Sequence, residues 1–449
     1  MTTEIITAAL RSYIARNDLG SLKVALENEH PADLANFVAE LLPSEGWMVL
    51  DQLPLDKQAT VFGYLPHDQQ ADLAIAAPRG RLAQIVTEME ADERADMYNA
   101  LSDDQKKALL PALAHAERED LLRLAAYDEG TAGAIMTSDY AIVDAKATAP
   151  EAIAKLRNEA PAKETIYRAY VVDGDRKLIG SVRLQDLITA PEKTLVDDIM
   201  DTKTLAVDVD TDQEQVAERI RKYDILAVPV VDRDGRLVGI VTHDDAADVE
   251  QQEFTEDFHK GGTVRGLMTN VKDASIFVLY RARIVWLVVL VFGNIFSGAG
   301  IAAFEETIEA YVALVFFLPL LIDSGGNAGS QAATLMVRGL ATGDVRLRDW
   351  SRMIGKEVLV AGLLGLSMAL AVSVIGIFRG GPEIAVVVSM SMVIIVIVGS
   401  VIGMSLPFVL SRLRLDPATA SAPLVTSIAD AAGVLIYFAI ATSFLPMPA

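Results

Sequence analysis

The pattern of apolar and polar positions changes character near residue 271. Before it, apolar residues recur at three- and four-residue spacing in short runs; after it, five long apolar stretches follow at 284–300, 311–337, 358–378, 384–410 and 424–445. Each approaches or exceeds the roughly 20 residues that cross a hydrocarbon core, the first being completed by its N-terminal flank. One such stretch could be a buried core helix, but five in succession, separated by short polar turns, predict five membrane-spanning helices. Basic residues set their direction. Arg281 and Arg283 precede the first stretch, Arg338, Arg346, Arg348, Arg352 and Lys356 fill the connection after the second, and Arg412 and Arg414 follow the fourth. The alternate connections carry Glu305, Glu306 and Glu309, or Arg379 with Glu383. Basic connections inside place the N-terminal part in the cytosol and the C-terminus outside.

Two of these stretches carry more than lipid-facing side chains. The second runs through Pro319 into a polar, glycine-rich segment at 323–331, which predicts a pore-lining break in the helix; a packing patch of small residues is the alternative. The fifth holds Asp430 several residues inside its apolar run. An ionised carboxylate facing lipid is costly, so Asp430 is expected to face a bundle interior or a conduit, either as the partner of a basic residue or as a cation ligand. Two copies meeting on a symmetry axis would favour the cation, and Ala429 and Gly433 would let the helices approach. Glu357, at the start of the third stretch beside Lys356, fits interfacial neutralisation and the inner mouth of a pore equally well.

Residues 1–130 read as short helices broken at Pro31, Pro43, Pro54, Pro66 and Pro78, a spacing that predicts a superhelical stack. Asp92 and Asp96 share one helix face there, where like charges repel unless a cation bridges them. Between 131 and 250 a pattern occurs twice. Met136-Thr137, a helix at 150–159, the strands around Tyr170 and Ile179 and then Asp186 are matched by Ile199-Met200, a helix at 213–223, the strands around Val228 and Val238 and then Asp244-Asp245. Two such α/β units bury their sheets against each other.

Charge sharpens this division. Of 61 Asp and Glu residues 50 precede residue 272, against 28 of the 39 Lys and Arg, so the whole net charge of −22 lies in the first part. Such a surface repels nucleic acid and attracts cations. There is no cysteine and no histidine in the membrane half, which leaves oxygen ligands suited to hard ions such as Mg²⁺, Ca²⁺ or Mn²⁺ and disfavours a softer-ion site. The start, with Glu4 and no long apolar run, does not read as a secretory signal. No His/Cys/Ser grouping in the membrane half suggests catalysis.

The repeat resembles a tandem pair of cystathionine-beta-synthase (CBS) domains, and the chain as a whole resembles the MgtE family of magnesium transporters. The segments that carry the likeness are His30-Pro31-Ala32-Asp33-Leu34-Ala35, Ala132-Gly133-Ala134-Ile135-Met136-Thr137, Gly325-Gly326-Asn327-Ala328-Gly329 and the stretch from Pro423 to Asp430. The resemblance implies an all-α superhelical N domain at 1–130, α/β CBS domains at 131–190 and 191–245, an acidic connecting or plug helix at 246–270, and an all-α five-helix transmembrane domain at 271–449. It further implies a homodimer, joined through the transmembrane and CBS domains, in a bacterial cytoplasmic membrane and importing Mg²⁺. Asp430 matches the carboxylate of the ion pathway. Regulatory Mg²⁺ contacts fall on Asp92 and Asp96, on Asp212, Glu214, Asp224, Asp244, Asp245 and Asp248, and on Glu253, Glu256 and Asp257 of the plug helix, with Glu357 near the inner mouth. Mg²⁺ bound there would hold the pore shut, and ATP is a further expected ligand of the CBS pair. Ala422 and Ser330 stand where the family pattern often has asparagine, a loss of amides expected to relax selectivity toward other divalent ions. A Co²⁺, Mn²⁺ or Ni²⁺ transporter, or a CBS-regulated receptor without transport, are the alternative functions.

Overall fold

A computed structural model describes residues 2–77, 80–262, 264 and 275–446; Pro78 and residues 265–270 of the expected plug helix lie outside the described residues. The chain divides into two compact units, 1–251 and 252–449.

The first unit begins with short helices whose starts are dictated by proline. Pro31 and Pro43 open helices Pro31–Ala39 and Pro43–Leu50, and Pro54 and Pro66 stand just before Leu55–Gly63 and His67–Ala76. At a first turn the missing N–H costs nothing, because that donor has no intrahelical acceptor. Each helix then packs on the next but one: Pro31–Ala39 on Leu55–Gly63 and that on Arg81–Glu88, while Pro43–Leu50 meets His67–Ala76, then Ala91–Ala100, then His115–Leu124. Two interleaved rows result, with Leu22, Leu50, Phe62, Ile85 and Leu121 buried between them.

Two three-stranded sheets follow, β1 (Tyr140–Val143), β2 (Thr165–Val172) and β3 (Leu178–Arg183), then β4 (Val207–Asp208), β5 (Ala227–Val231) and β6 (Leu237–Thr242). In each, the first pair is parallel and the second antiparallel. The hairpin turns are held alike: the Asp173 side chain accepts from the backbone N–H groups of Asp175 and Lys177, and that of Asp232 from Asp234 and Arg236. The two copies also exchange edges. Thr137, at the opening of the first copy, pairs with Ile240 of β6, and Asp201, at the opening of the second, pairs with Ser181 of β3. This reciprocal pairing explains the glycines at 180 and 239, where an added Cβ would strike Met200 and Met136 respectively.

The second unit contains four long apolar helices, Ile276–Ala302, Ala313–Ala341, Trp350–Arg412 and Ala422–Phe444. The third is 63 residues long, far more than a bilayer requires, and it folds at Gly381, whose φ of 84° suits glycine. An added Cβ at Gly365 would meet the backbone of Val393 and one at Gly376 that of Ala385, so the two halves lie antiparallel. The unit therefore contains five apolar helical segments, each long enough to cross a bilayer. Phe317, Leu321, Val388, Ile395, Tyr437 and Phe438 form the core of the last four.

The second span corrects one expectation. It continues as a helix through 323–331 without a break. Its glycines serve packing: Gly325 and Gly329 bring their carbonyls against Gly399 and Gly403 of the fourth span so closely that no Cβ fits at either 399 or 403. Small residues four apart on both helices permit this approach, and the intact helix satisfies the backbone hydrogen bonds that lipid could not.

Candidate functional site

The polar side chains of the second span lie on the face away from those glycines. Gly325, Gly326, Gly329, Ala332 and Ala333 are buried, whereas Asp323, Asn327, Gln331 and Thr334 are exposed and Ser330 is half-buried. The run is thus an amphipathic helix, and its polar stripe faces away from the bundle of its own chain. Asp430 reaches the same region from the fifth span, which starts at Ala422 with Ser421 as its N-cap residue and Pro423 in its first turn. A Cβ at Gly326 would lie 3.3 Å from Asp430 Oδ1 and 3.1 Å from Thr426 Cγ2. A side chain there would be tight against both groups, so the glycine eases the close passage of the carboxylate to the second span.

Among the described residues no lysine or arginine pairs with Asp430, so the structural ion pair considered from sequence is not formed. The two positions lacking an expected amide are neighbours, since Ser330 Oγ donates to the Ala422 carbonyl at 3.5 Å. Glu357 is half-buried on the third span and pairs with neither Lys356 nor another base among the described residues.

A second acidic region lies within the first unit. Asp92 and Glu93 sit in the first turn of helix Ala91–Ala100. Asp92 is buried, and the Glu93 carboxyl lies against Gly63. From the CBS pair come Glu164, just before β2, and Asp244 and Asp245, in the first turn after β6. Asp245 accepts from the Thr242 hydroxyl and, at 3.3 Å, from its backbone N–H. Burial, followed by the neighbouring acids, pushes Glu93 up to about 9 and Glu164 up to about 8. The same causes raise Asp92 and Asp245, Asp92 being the acid that acts most on Asp245 and Glu164 the one that acts most on Asp92. Asp248 is raised by burial and by Asp244. Asp96, one turn on from Asp92, lies at the surface within electrostatic reach of His67 and Glu129.

Sequence reasoning named Asp92, Asp244 and Asp245 here but missed Glu90, Glu93, Asp139 and Glu164, whose charges act on the same cluster. The basic groups near it are Arg94, which reaches Asp120 at 3.7 Å, and Lys163 beside Asp139. Among the described residues, no three acidic or histidine side chains converge as a finished metal cage. The arrangement is one of crowded carboxyl groups with few basic side chains near them among the described residues.

That crowding has a measurable consequence. A carboxyl whose folded pKa lies above its unfolded value contributes stability that is complete below about pH 4 and is lost as pH rises through the folded pKa, here about 8 to 9. In chelator, hydrogen-exchange protection of helix Ala91–Ala100, corrected for intrinsic rate, is expected to fall across that interval. Millimolar Mg²⁺ is expected to restore it most strongly at the alkaline end. Protection that stays level with pH in chelator would contradict the account.

The remaining predicted ligands are spread out. Asp212 caps the N-terminus of helix Gln213–Tyr223, accepting from Glu214 and Gln215, and Asp224 ends it with φ 48°. They flank a helix of 11 residues and stand about 18 Å apart along its axis, so one ion cannot bridge them within a chain. Glu253, Glu256 and Asp257 lie on helix His243–Gly261, which starts three residues before the expected 246. Lys260, in its last turn, is bound at 2.7 Å to Glu256 Oε1 and at 2.6 Å to Oδ2 of Asp416, in the connection before the fifth span. Burial alone would lower the Lys260 pKa, but the two carboxylates outweigh it and raise it. Asp257 is raised by burial and then by Asp416. Lys260 and Asp416 were not singled out from sequence; they are 156 residues apart, and only folding brings them together.

Comparison with known proteins agrees with this layout. Residues 29–130 match the MgtE intracellular N domain, 132–193 and 196–251 match CBS domains, and 318–440 match a divalent cation transporter domain of the MgtE type. The magnesium transporter MgtE of Thermus thermophilus is 44% identical over 322 residues, 72% of each chain. That of Bacillus subtilis is 34% identical over 323 residues, 72% of this chain and 71% of the relative. The crystal structure of the cytosolic domain of the Mg²⁺ channel MgtE in complex with ATP is 39% identical with a TM-score of 0.52, covering 54% of this chain and 99% of that one. The soluble part of a magnesium transporter gives the same TM-score at 33% identity, covering 56% of this chain and 99% of that one. A helical N domain, a CBS pair and a multi-pass helical membrane domain in that order, with relatives that are transporters rather than enzymes, make this chain a member of the MgtE family of magnesium transporters.

Proposed function

We propose that the chain imports Mg²⁺ through the cytoplasmic membrane of a bacterium as a homodimer, and that cytosolic Mg²⁺ bound among its acidic side chains closes the route. The observation that carries the first part is Asp430, a carboxylate inside a membrane helix with glycine opposite it and no basic partner among the described residues. Such a group is tolerable where it faces a cation route. Mg²⁺ dehydrates reluctantly, so a pair of Asp430 side chains across a two-fold axis would hold it through its water shell. Ala422 and Ser330 leave the wall beside Asp430 poorer in amides, which favours some passage of other divalent ions.

Gating is supported by the carboxyl groups crowded around Asp92, Glu93, Glu164 and Asp245, and by those on the plug helix. In the cluster of the first unit the acids crowd one another, so a cation bound among them would select the compact arrangement. Asp96, Asp212, Glu214, Asp224, Asp244, Asp248 and Glu357 are proposed as further contacts of the same kind, with Asp212 and Asp224 serving different ions. For ATP, the first CBS copy offers a cavity of about 560 Å³ lined by Arg168, Ser181, Arg183, Asp186 and Asp201. Two guanidinium groups there suit phosphates, although Arg183 is already held in a bidentate pair by Asp186. Purified protein in liposomes is expected to take up Mg²⁺ and to stop when Mg²⁺ is supplied on the cytosolic face. Uptake indifferent to cytosolic Mg²⁺ would refute the gating, and no uptake under any condition would refute the import.

A further inference from the structure

Asp323 has no part in the account so far, yet it is the second acidic side chain held at depth in the spans. It stands ten residues into helix Ala313–Ala341, about 15 Å from its start, on the polar stripe rather than the packed face. Asn327, one turn on, donates from Nδ2 to Asp323 Oδ2 at 3.0 Å and so fixes the carboxylate's orientation. Among the described residues, Oδ1 accepts no hydrogen bond and no lysine or arginine pairs with either oxygen. Gly326, three residues further along, is the residue against which Asp430 lies, so Asp323 sits about one helical turn from Asp430 toward the N-terminal end of the second span. The two are close enough for their charges to act on each other.

Two uncompensated carboxylates on different helices, one turn apart at membrane depth, are stable together only when something positive joins them. We propose that Asp323 is a specificity-determining residue of the ion route: with Asn327 as its positioning residue, it holds a hydrated divalent cation one turn from Asp430 and biases the route against singly charged ions. This rests on the reading of Asp430 as a pathway carboxylate. Coulomb attraction scales with the charge of the ion, so a second carboxylate adds twice as much for Mg²⁺ as for Na⁺. Because Mg²⁺ keeps its waters, Oδ1 needs only to accept from a coordinated water, for which its freedom from other donors leaves it available.

The test is Mg²⁺ and Na⁺ flux in liposomes carrying full-length D323N, D323E, N327A or D430N. D323N keeps the size of the side chain and an oxygen to accept from Asn327, so it removes only charge. It is expected to raise the KM for Mg²⁺ about tenfold with little change in maximal rate, and to increase Na⁺ leak relative to Mg²⁺ flux. D323E is expected to restore the KM, and N327A to raise it by less than D323N. A packing role would instead lower the yield of folded protein or the maximal rate and leave the ion ratio alone. If D323N does not fold, Asp323→Ser is read in the same way. An unchanged KM and ion ratio in D323N, with D430N inactive, overturns this proposal alone. D430N transporting like the parent overturns the underlying reading of Asp430.

Discussion

Asp430→Asn is expected to reduce Mg²⁺ uptake by about two orders of magnitude without unfolding the protein. Asparagine has nearly the same shape, so the space beside Gly326 stays filled and the close approach of the fifth span to the second is kept. Only the charge is lost. Unit charges 4 Å apart interact by about 4 kcal/mol at an effective dielectric constant of 20, and a doubly charged ion doubles that. Most of this offsets desolvation, but losing even a remaining 3 kcal/mol lowers occupancy more than 100-fold. Because no basic side chain among the described residues pairs with Asp430, its neutralisation orphans no cation and should not destabilise the bundle. The measurement is the initial rate of Mg²⁺ entry into liposomes, normalised to folded protein. A rate equal to the parent's would remove Asp430 from the pathway.

The parts of this arrangement that were legible in the sequence are those set by local rules. Hydropathy located the spans because lipid demands about 20 apolar residues per crossing, and the same rule made Asp430 conspicuous. The repeat disclosed the CBS pair because each copy is one local α/β unit. What stayed hidden depends on contacts between distant segments. The glycines at 325 and 329 looked like a break because glycine weakens an isolated helix; their cost is offset by backbone contact with Gly399 and Gly403, some 74 residues away. Spacing along one helix identified Asp92 and Asp96, yet the carboxyl groups that most perturb Asp92 besides burial include Glu164, which enters from another domain. Spacing likewise found the acids of helix His243–Gly261 but not the counter-charge on Lys260, whose second partner, Asp416, comes from the connection before the last helix.

Replacing the plug-helix acids together, Glu253→Gln, Glu256→Gln and Asp257→Asn, is expected to leave uptake running at cytosolic Mg²⁺ concentrations that silence the parent. Moving a two-state equilibrium from 99:1 to 1:99 takes about a 10⁴-fold difference in binding between the states. Four ions that each favour the closed form tenfold supply that factor, and losing the ligands of even two returns about a hundredfold of it. Glu256 differs from the other two acids because it already holds Lys260, which also binds Asp416. A lysine is a cation that chelator cannot remove, so this link persists when Mg²⁺ is withdrawn. Lys260→Gln is therefore expected to act differently from the triple variant, weakening closure at low Mg²⁺ while leaving closure at saturating Mg²⁺ intact. The measurement is uptake against cytosolic Mg²⁺ for the parent, the triple variant and Lys260→Gln. If the triple variant closes at the parent's Mg²⁺ concentration, these carboxylates do not carry the gate.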